Sequence, residues 1–162
     1  MLIRHAKAAD APVDRDRPLA GKGKRRAAAI GSWLEAAGLL PDRVLVSPAR
    51  RAAQTWELAA AALAPDLQSI VDERIYDNTV ETVLAAIGDV PDEVQTLAVV
   101  GHNPSIGELA ASLDDGAGRP PALRELHAGF PTGAVAVFTV HSPLAEVELG
   151  GATLVDFAVP GA

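Results

Sequence analysis

Short apolar segments alternate with segments of helical spacing along this 162-residue chain. One of them, TLAVVGHNP (96–104), is typical of a strand that is buried on both faces of a sheet. Such a strand needs a covering layer on each side, and alternating strands and helices supply those layers. The pattern therefore predicts an α/β fold, a three-layer sandwich whose mostly parallel central sheet carries helices on both faces.

The predicted elements begin with a strand over Met1–Ile3 and end with a pair of strands. Strands usually run about five or six residues, so this first one is either short or continued upstream. After it, we predict strands at 42–48, 67–73, 96–104, 133–140 and 152–159, and helices at 22–38, 48–63, 79–89 and 103–113. Ser47 and Asn103 are expected to cap the second and fourth helices. The Gly- and Pro-rich segment 114–129 is interpreted as a loop or flap, and 1–162 as a single domain.

The formal net charge of −7 argues against a nucleic-acid partner and against an anionic membrane surface, because both require a basic face. No apolar run is long enough to span a bilayer and no signal-peptide pattern is present, so a cytoplasmic protein is expected. The absence of cysteine excludes disulfides and a thiol nucleophile. Asp114–Asp115 is a tight acidic pair in the predicted loop, and GKGKRR lacks P-loop spacing, so we expect neither a metal nor a cofactor.

Polar side chains stand directly after three of the predicted strands. Arg4–His5 follow the first strand, Ser47 and then Arg50–Arg51 follow the second, and His102 follows the strand within 96–104. In open α/β sheets, ligands bind beyond the carboxyl ends of the strands. If these strands are neighbours, two imidazoles and at least two guanidinium groups converge on one pocket.

That combination of side chains suits a phosphoryl group. Guanidinium groups can bond two oxygens of a tetrahedral oxyanion at once, and helices starting at Pro48 and Pro104 would aim free N–H groups at it. A nearby guanidinium disfavours the charged form of His5, so its neutral imidazole can attack phosphorus and carry the phosphoryl group covalently. His102 can then donate a hydrogen bond to a non-bridging oxygen in the transition state.

The segments LIRHAKA, SPARRAAQT and VVGHNP, in this order, resemble the motifs of the histidine phosphatase superfamily, which also contains phosphoglycerate mutases. The stretches DRDRPLAGKG and PTGAVAVFTV are also similar to stretches of its small members, so the resemblance covers most of the chain. It implies a phosphoglycerate mutase-like fold in which His5 is the phosphorylated nucleophile. Arg4 and Arg51 would hold the phosphoryl oxygens, His102 would complete the pocket, and Arg50 would be a solvated neighbour.

The resemblance also suggests further contacts to the substrate. Lys7 and Asn103 are candidates for phosphate binding, although a solvated lysine is an equally good interpretation of Lys7. Larger members of the superfamily carry an inserted cap and an acidic residue that protonates the leaving oxygen. Glu73 is the best candidate for that proton donor here, and a surface carboxylate is its alternative interpretation. The fallback candidates are Asp10, Asp14, Asp77 and Glu108.

A short chain with no obvious cap and no obvious acid resembles the SixA-like phosphohistidine phosphatases, which act on a protein partner. This implies a phosphatase that removes phosphate from histidine, since the labile P–N bond needs little acid assistance. One alternative is a phosphatase of small phosphorylated metabolites or nucleotides, with a rim formed by 114–129 through Arg119, Arg124 and His127. The other is a phosphate-binding module without catalysis.

Overall fold

The computed structural model describes residues 1–63, 67 and 69–162. Its strands are β1 (Leu2–Arg4), β2 (Arg43–Val46), β3 (Ile70–Val71), β4 (Leu97–Gly101), β5 (Val135–Val140) and β6 (Ala152–Ala158). Its helices are α1 (Gly21–Ala36), α2 (Arg50–Leu63), α3 (Glu73–Asp77), α4 (Val80–Gly88), α5 (Ser105–Leu113) and α6 (Pro120–Ala128). Single 3-10 turns lie at Asp14–Asp16 and Leu144–Glu146.

The six strands form one sheet in the order β3-β2-β4-β1-β5-β6. The first four strands in that order are parallel, and β5 and β6 add an antiparallel edge. Val99 of β4 pairs with Leu45 of β2 on one side and with Leu2 of β1 on the other. The carboxyl ends of β2, β4 and β1 therefore lie side by side at one edge of the sheet.

Hydrophobic residues fill both faces of the sheet, as the unbroken apolar run in β4 requires. Val99 packs on one face with residues of α3, α4, α5 and α6, among them Ile106. The next residue, Val100, points to the other face, where Ile30 of α1 and Trp56 of α2 cover it. The predicted three-layer α/β sandwich is confirmed.

Close backbone contacts hold the first helix in place. An added Cβ at Gly31 of α1 would overlap the carbonyl oxygen of Ala59 of α2, so the two helices touch at a glycine. Near the start of α1, a Cβ at Gly23 would likewise overlap the carbonyl oxygen of Lys7. The loop that follows β1 is thereby packed against α1, which fixes where the residues after His5 lie.

Most predicted elements are present in the structure. The strands predicted at 42–48, 96–104, 133–140 and 152–159 and the helices predicted at 22–38 and 79–89 are confirmed, with strands shorter than expected. The predicted strand 67–73 is reduced to Ile70–Val71, and its Gln68 lies outside the described residues. The helix predicted from Pro48 begins at Arg50, and the expected stop at Pro65 also lies outside them.

The prediction of a loop over 114–129 was wrong for most of its length. Helix α6 occupies Pro120–Ala128 because proline is tolerated in the first helical turn, where the missing N–H has no partner to lose. Its buried residues Ala122 and Leu126 are four positions apart and face the core.

One predicted strand end and one predicted helix cap need correction. Glu73 does not end a strand but begins α3, because the Asp72 side chain accepts a hydrogen bond from the Arg74 N–H and caps this short helix. Asn103 does not cap the following helix, which begins at Ser105.

Candidate active site

Polar residues that follow β1 and β4, together with Arg51 of α2, line one pocket of about 590 Å³ at the carboxyl edge of the parallel strands. Its lining residues are Arg4, His5, Lys7, Ala8, Asp14, Arg17, Arg51, Tyr76, Asn78, His102, Asn103 and Thr132. A second cavity, of about 650 Å³, lies at the opposite edge around Met1 and Leu97 and has no histidine or arginine in its lining. The chemistry-bearing side chains thus gather at one end of the sheet.

His5 follows β1 and is oriented by its own backbone. Its Nδ1 lies 2.7 Å from the carbonyl oxygen of Ala6, which can only accept, so Nδ1 carries the proton and donates. The Arg51 Nε–H donates to His5 Nε2 at 3.3 Å. Burial lowers the pKa of His5 to about 4, assisted by the charges of Arg51, Arg4 and Arg17 and opposed by the bond to Ala6. At neutral pH the ring is uncharged, and its Nε2 lone pair accepts the hydrogen bond from Arg51 at the pocket.

His102 follows β4, and its ring lies beside that of His5. The two ring centroids are 5.0 Å apart, and the ring planes are inclined by 57°. His102 Nε2 is 2.7 Å from the hydroxyl oxygen of Ser47, at the end of β2. Burial lowers the pKa of His102 to about 3, and His5 and Arg51 act in the same direction. The pocket therefore holds two neutral imidazoles beside three guanidinium groups, those of Arg4, Arg17 and Arg51.

Arg51, in the first turn of α2, is only 7% exposed. Besides its bond to His5, it donates from Nη1 to the carbonyl oxygen of Asp14 at 2.8 Å and from Nη2 to the Asp14 carboxylate at 3.1 Å. Arg50, its neighbour, is exposed and outside the pocket lining. The local turn of α2 thus directs one of the two arginines inward and the other to solvent.

Arg4 and Asn103 are held by the same carbonyl group. Arg4 Nη1 donates to the carbonyl oxygen of Phe130 at 2.8 Å, and the Asn103 side-chain amide donates to it at 3.0 Å. Arg4 Nε is buried without a protein partner. Lys7 lines the pocket with an exposed side chain. Both residues expected from the sequence to bind the phosphate, Lys7 and Asn103, are therefore at the pocket.

Glu73 lies elsewhere. Its carboxylate pairs with Arg15 at 2.6 Å, its side chain is 67% exposed, and it is outside the pocket lining. The sequence expectation placed it near the substrate, but it begins α3 two residues after β3 and its side chain points to Arg15. Of the fallback carboxylates, Asp10, Asp77 and Glu108 are also outside the lining.

Asp14 is the carboxylate that the pocket does contain. It accepts a hydrogen bond from the Tyr76 hydroxyl at 2.9 Å and from Arg51, and Arg17 Nη1 lies 3.3 Å from its other oxygen. The bond from Tyr76, followed by those from Arg51 and Arg17, lowers the pKa of Asp14 below its ordinary value. The carboxylate is ionised at neutral pH and holds Arg51 in place.

Five lining residues escaped the sequence reasoning: Ala8, Arg17, Tyr76, Asn78 and Thr132. Arg17 donates from Nε to the Ala9 carbonyl and thereby folds the loop after β1 back on itself. Asn78 ends α3 in the left-handed conformation (φ 62°), and its side chain donates to the Asn103 carbonyl at 2.8 Å. Asparagine is the residue other than glycine that most readily adopts this conformation, and that signal at Asn78 could have indicated a helix end here.

The rim expected from 114–129 is absent from the described pocket lining. Helix α6 packs against β6 and α5. The pocket lining therefore lacks all three residues expected to form the rim, Arg119, Arg124 and His127. Asp115, of the tight acidic pair, accepts hydrogen bonds from Thr153 and from the Ala117 N–H. Among the described residues, no three His, Asp or Glu side chains are grouped as metal ligands, and no helix is long and apolar enough to cross a bilayer.

Comparison with known proteins gives a consistent family. Residues 1–139 match the model of the histidine phosphatase superfamily, branch 1. An uncharacterised protein of Mycobacterium tuberculosis is 43% identical over 161 residues, which is 98% of this chain and 99% of that protein. The phosphohistidine phosphatase SixA of Escherichia coli K12 is 33% identical over 142 residues, which is 86% of this chain and 83% of that protein.

Solved structures share the fold over nearly the whole chain. A Nakamurella multipartitia protein described as a phosphohistidine phosphatase SixA superposes with a TM-score of 0.84 at 34% identity, covering 99% of this chain and 96% of that one. The protein histidine phosphatase SixA complexed with tungstate superposes with a TM-score of 0.79 at 30% identity, covering 98% of this chain and 95% of that one. The three-layer fold is therefore common to this chain and these proteins.

Proposed function

This chain belongs to the histidine phosphatase superfamily, and from that premise we propose that it is a phosphatase that hydrolyses phosphohistidine on a protein partner. Phosphatase activity is what the superfamily match and the SixA relatives support. The substrate, the covalent intermediate and the independence from metal ions are our proposal.

The proposed first step is an in-line attack of the His5 Nε2 lone pair on the phosphorus of the substrate. The hydrogen bond from Nδ1 to the Ala6 carbonyl leaves Nε2 as the reactive nitrogen, and its hydrogen bond from the Arg51 Nε–H breaks before the attack, which frees that N–H for a phosphoryl oxygen. A P–N bond to His5 forms while the P–N bond of the substrate breaks. A substrate ring that is protonated on its second nitrogen then leaves as neutral imidazole, so the enzyme need not supply a proton.

Water completes the cycle in the second step. Its oxygen attacks the phosphorus of phosphorylated His5, the P–N bond breaks, and the electron pair returns to Nε2. One water proton remains on the inorganic phosphate and the other passes to solvent. Arg4 and Arg51 would bind the non-bridging oxygens in both steps, since both line the pocket that contains the nucleophile.

We base the assignment of phosphohistidine as the substrate on the protonation state of Asp14. Asp14 is the one carboxylate among the described residues of the pocket lining. Its hydrogen bonds from Tyr76, Arg51 and Arg17 keep it ionised, so it has no proton to give to a leaving alkoxide. The alkoxide of an alkyl phosphate would therefore leave slowly, whereas the imidazole of phosphohistidine needs no acid to leave.

The rim of the pocket supports a substrate that protrudes from a larger molecule. Lys7 is exposed, Tyr76 and Thr132 are half-buried, and the Asp14 side chain is 54% exposed above the nearly buried Arg51. A histidine side chain that carries a phosphoryl group can reach the floor from such a rim. We propose a phosphorylated protein as the partner for that reason.

A substrate panel tests this function. The chain is incubated in EDTA with a histidine-phosphorylated protein, a phosphoserine peptide, an aryl phosphate, a sugar phosphate and a nucleotide, and phosphate release is followed. We expect kcat/KM for phosphohistidine to exceed the values for the alkyl phosphates by about 100-fold or more, the usual worth of a missing general acid. Preferred turnover of a sugar phosphate or nucleotide would favour a metabolite phosphatase instead. Binding without turnover of any substrate would indicate a binding module.

A further inference from the structure

Ser47 is fully buried at the end of β2 and is outside the pocket lining, yet it contacts a residue of the pocket. Its hydroxyl oxygen accepts a hydrogen bond from the Ala49 N–H at 3.2 Å. The same oxygen lies 2.7 Å from Nε2 of His102, which is 4% exposed. The hydroxyl therefore has two hydrogen-bonding neighbours inside the protein, the Ala49 N–H and His102 Nε2.

The direction of the Ser47 hydroxyl proton determines which ring nitrogen of His102 carries a proton. The Ala49 N–H is a donor and occupies a lone pair of the Ser47 oxygen, so it cannot accept the hydroxyl proton. Of the two groups that the Ser47 hydroxyl contacts, His102 Nε2 is the one that can accept the hydroxyl proton. If the Ser47 hydroxyl donates, Nε2 is unprotonated, and the proton of the neutral ring resides on Nδ1.

Nδ1 of His102 is buried and has no hydrogen-bond partner in the part of the chain that the structure describes. The ring lies on the pocket wall, 5.0 Å from the ring of His5. A phosphoryl group presents only acceptor oxygens, so an Nδ1–H would complement it and an Nδ1 lone pair would repel it. An unpaired buried donor is costly unless a ligand satisfies it, which points to a role in binding the phosphoryl group.

We propose that Ser47 is a positioning residue that holds His102 as its Nδ1–H tautomer, with that N–H directed at the phosphoryl oxygens. The catalytic consequence rests on the proposed phosphatase function, whereas the tautomer itself does not. Ser47 makes no contact with substrate in this scheme and acts only through His102.

Nitrogen NMR of the unmodified protein tests the tautomer without any activity measurement. Long-range ¹H–¹⁵N spectra at neutral pH, assigned by comparison with His102→Asn, should show His102 protonated at Nδ1. Addition of tungstate should shift that nitrogen and its proton. A ring protonated at Nε2, or an Nδ1 resonance that tungstate leaves unchanged, would overturn the proposal even if the chain is an active phosphatase.

Substitutions at Ser47 test the consequence. Ser47→Ala should give a mixed tautomer in the NMR spectra and should lower kcat by about 10- to 100-fold, less than the roughly 10²- to 10³-fold loss expected when an oxyanion donor is removed outright, because His102 remains in place. Ser47→Thr keeps the hydroxyl and should restore most of the activity where it folds. Asp42→Ala is the matched control, because it removes two backbone hydrogen bonds, to Gln95 and Thr96, at the opposite edge of the sheet.

Two variants at His102 test which ring nitrogen donates the hydrogen bond to the phosphoryl group. The amide nitrogen of asparagine takes the approximate position of Nδ1, and that of glutamine the position of Nε2. His102→Asn should therefore retain at least several-fold more activity than His102→Gln. The reverse order, or equal activity of Ser47→Ala and the unmodified protein, would contradict the role of Ser47. Loss of activity in every variant and in the unmodified protein would refute the proposed function but would leave the tautomer to the NMR result.

Discussion

His5 and His102 lie with their ring centroids 5.0 Å apart, although they follow different strands, β1 and β4. The two strands pair in parallel, with Arg4 opposite Gly101, so the residues that follow them emerge together. Arg51 reaches the same place from α2 and donates to His5 Nε2. Three motifs that are distant in the sequence thus lie together in the fold, and their side chains can surround a tetrahedral anion.

The two adjacent arginines of α2 should differ sharply in their effect on catalysis. Arg51→Ala should reduce kcat/KM by about 10²- to 10³-fold, because it removes a buried cation beside the nucleophile. Arg50→Ala is the matched control, since its side chain is exposed, and it should stay within about twofold of the unmodified protein. Steady-state kinetics of both variants makes the comparison, and equal losses would contradict the assignment of Arg51.

The two pocket histidines should stay neutral over an unusually wide pH range. Burial lowers the pKa of His5 to about 4 and that of His102 to about 3. In ¹H NMR titrations of the free enzyme, the ring signals that disappear in His5→Ala and His102→Asn should therefore move only well below pH 6. Titration of either ring near pH 6.5 would show that the pocket does not suppress its charge.

The lowered pKa values of His5 and His102 also determine how the free energy of unfolding changes with pH. The unfolded chain takes up these protons near pH 6.5, while the folded chain does so only near pH 4 and pH 3, so unfolding gains protons in between. We expect the free energy of unfolding to fall as the pH drops from about 6.5 towards 4. Urea unfolding at a series of pH values measures this, and the slope should be smaller in a His5→Ala variant.

Asp14 should matter through Arg51 and not as an acid. Asp14→Asn keeps an oxygen acceptor for Arg51 but carries no titratable proton, and it should lower kcat/KM for phosphohistidine by less than about tenfold. Tyr76→Phe, which removes a donor to the same carboxylate, is the matched variant and should have a similarly small effect. Loss of turnover in Asp14→Asn by about 10³-fold, with Tyr76→Phe unaffected, would identify Asp14 as the proton donor.

The contact between α1 and α2 should depend on a single glycine. Gly31→Ala forces a Cβ against the carbonyl oxygen of Ala59 and should lower the free energy of unfolding by about 1–3 kcal/mol. Gly21→Ala is the control, because a Cβ there meets no atom closer than 3.9 Å. Denaturant unfolding should show that control unchanged or slightly stabilised by up to about 1 kcal/mol. Equal stability of the two variants would contradict the close packing.

The sequence predicted the fold and the floor of the site because both depend on local patterns. The apolar run of β4 required two covering layers, and polar residues at three strand ends indicated where a ligand would bind. The neighbouring order of those strands did not follow from the pattern, since it depends on which strands pair. Helix α6 was missed because Pro120 and Pro121 were interpreted as loop signals, although proline is compatible with a first helical turn.

The rim was harder to predict because it depends on tertiary contacts. Glu73 precedes Tyr76 by three residues in α3, yet Glu73 points to Arg15 while Tyr76 reaches Asp14. A helix of five residues is too short to show a period in the sequence. Asp14 enters the site only because the loop after β1 folds back through Arg17, which local spacing does not encode.

The identity of the nucleophile is tested most directly by trapping the intermediate. The chain is mixed with a protein that carries ³²P-labelled phosphohistidine, quenched within milliseconds, and digested to locate the label. We expect acid-labile label on His5 that decays as free phosphate appears, and neither label nor turnover in a folded His5→Ala variant. Label on His102, or turnover at the unmodified rate in His5→Ala, would contradict the account.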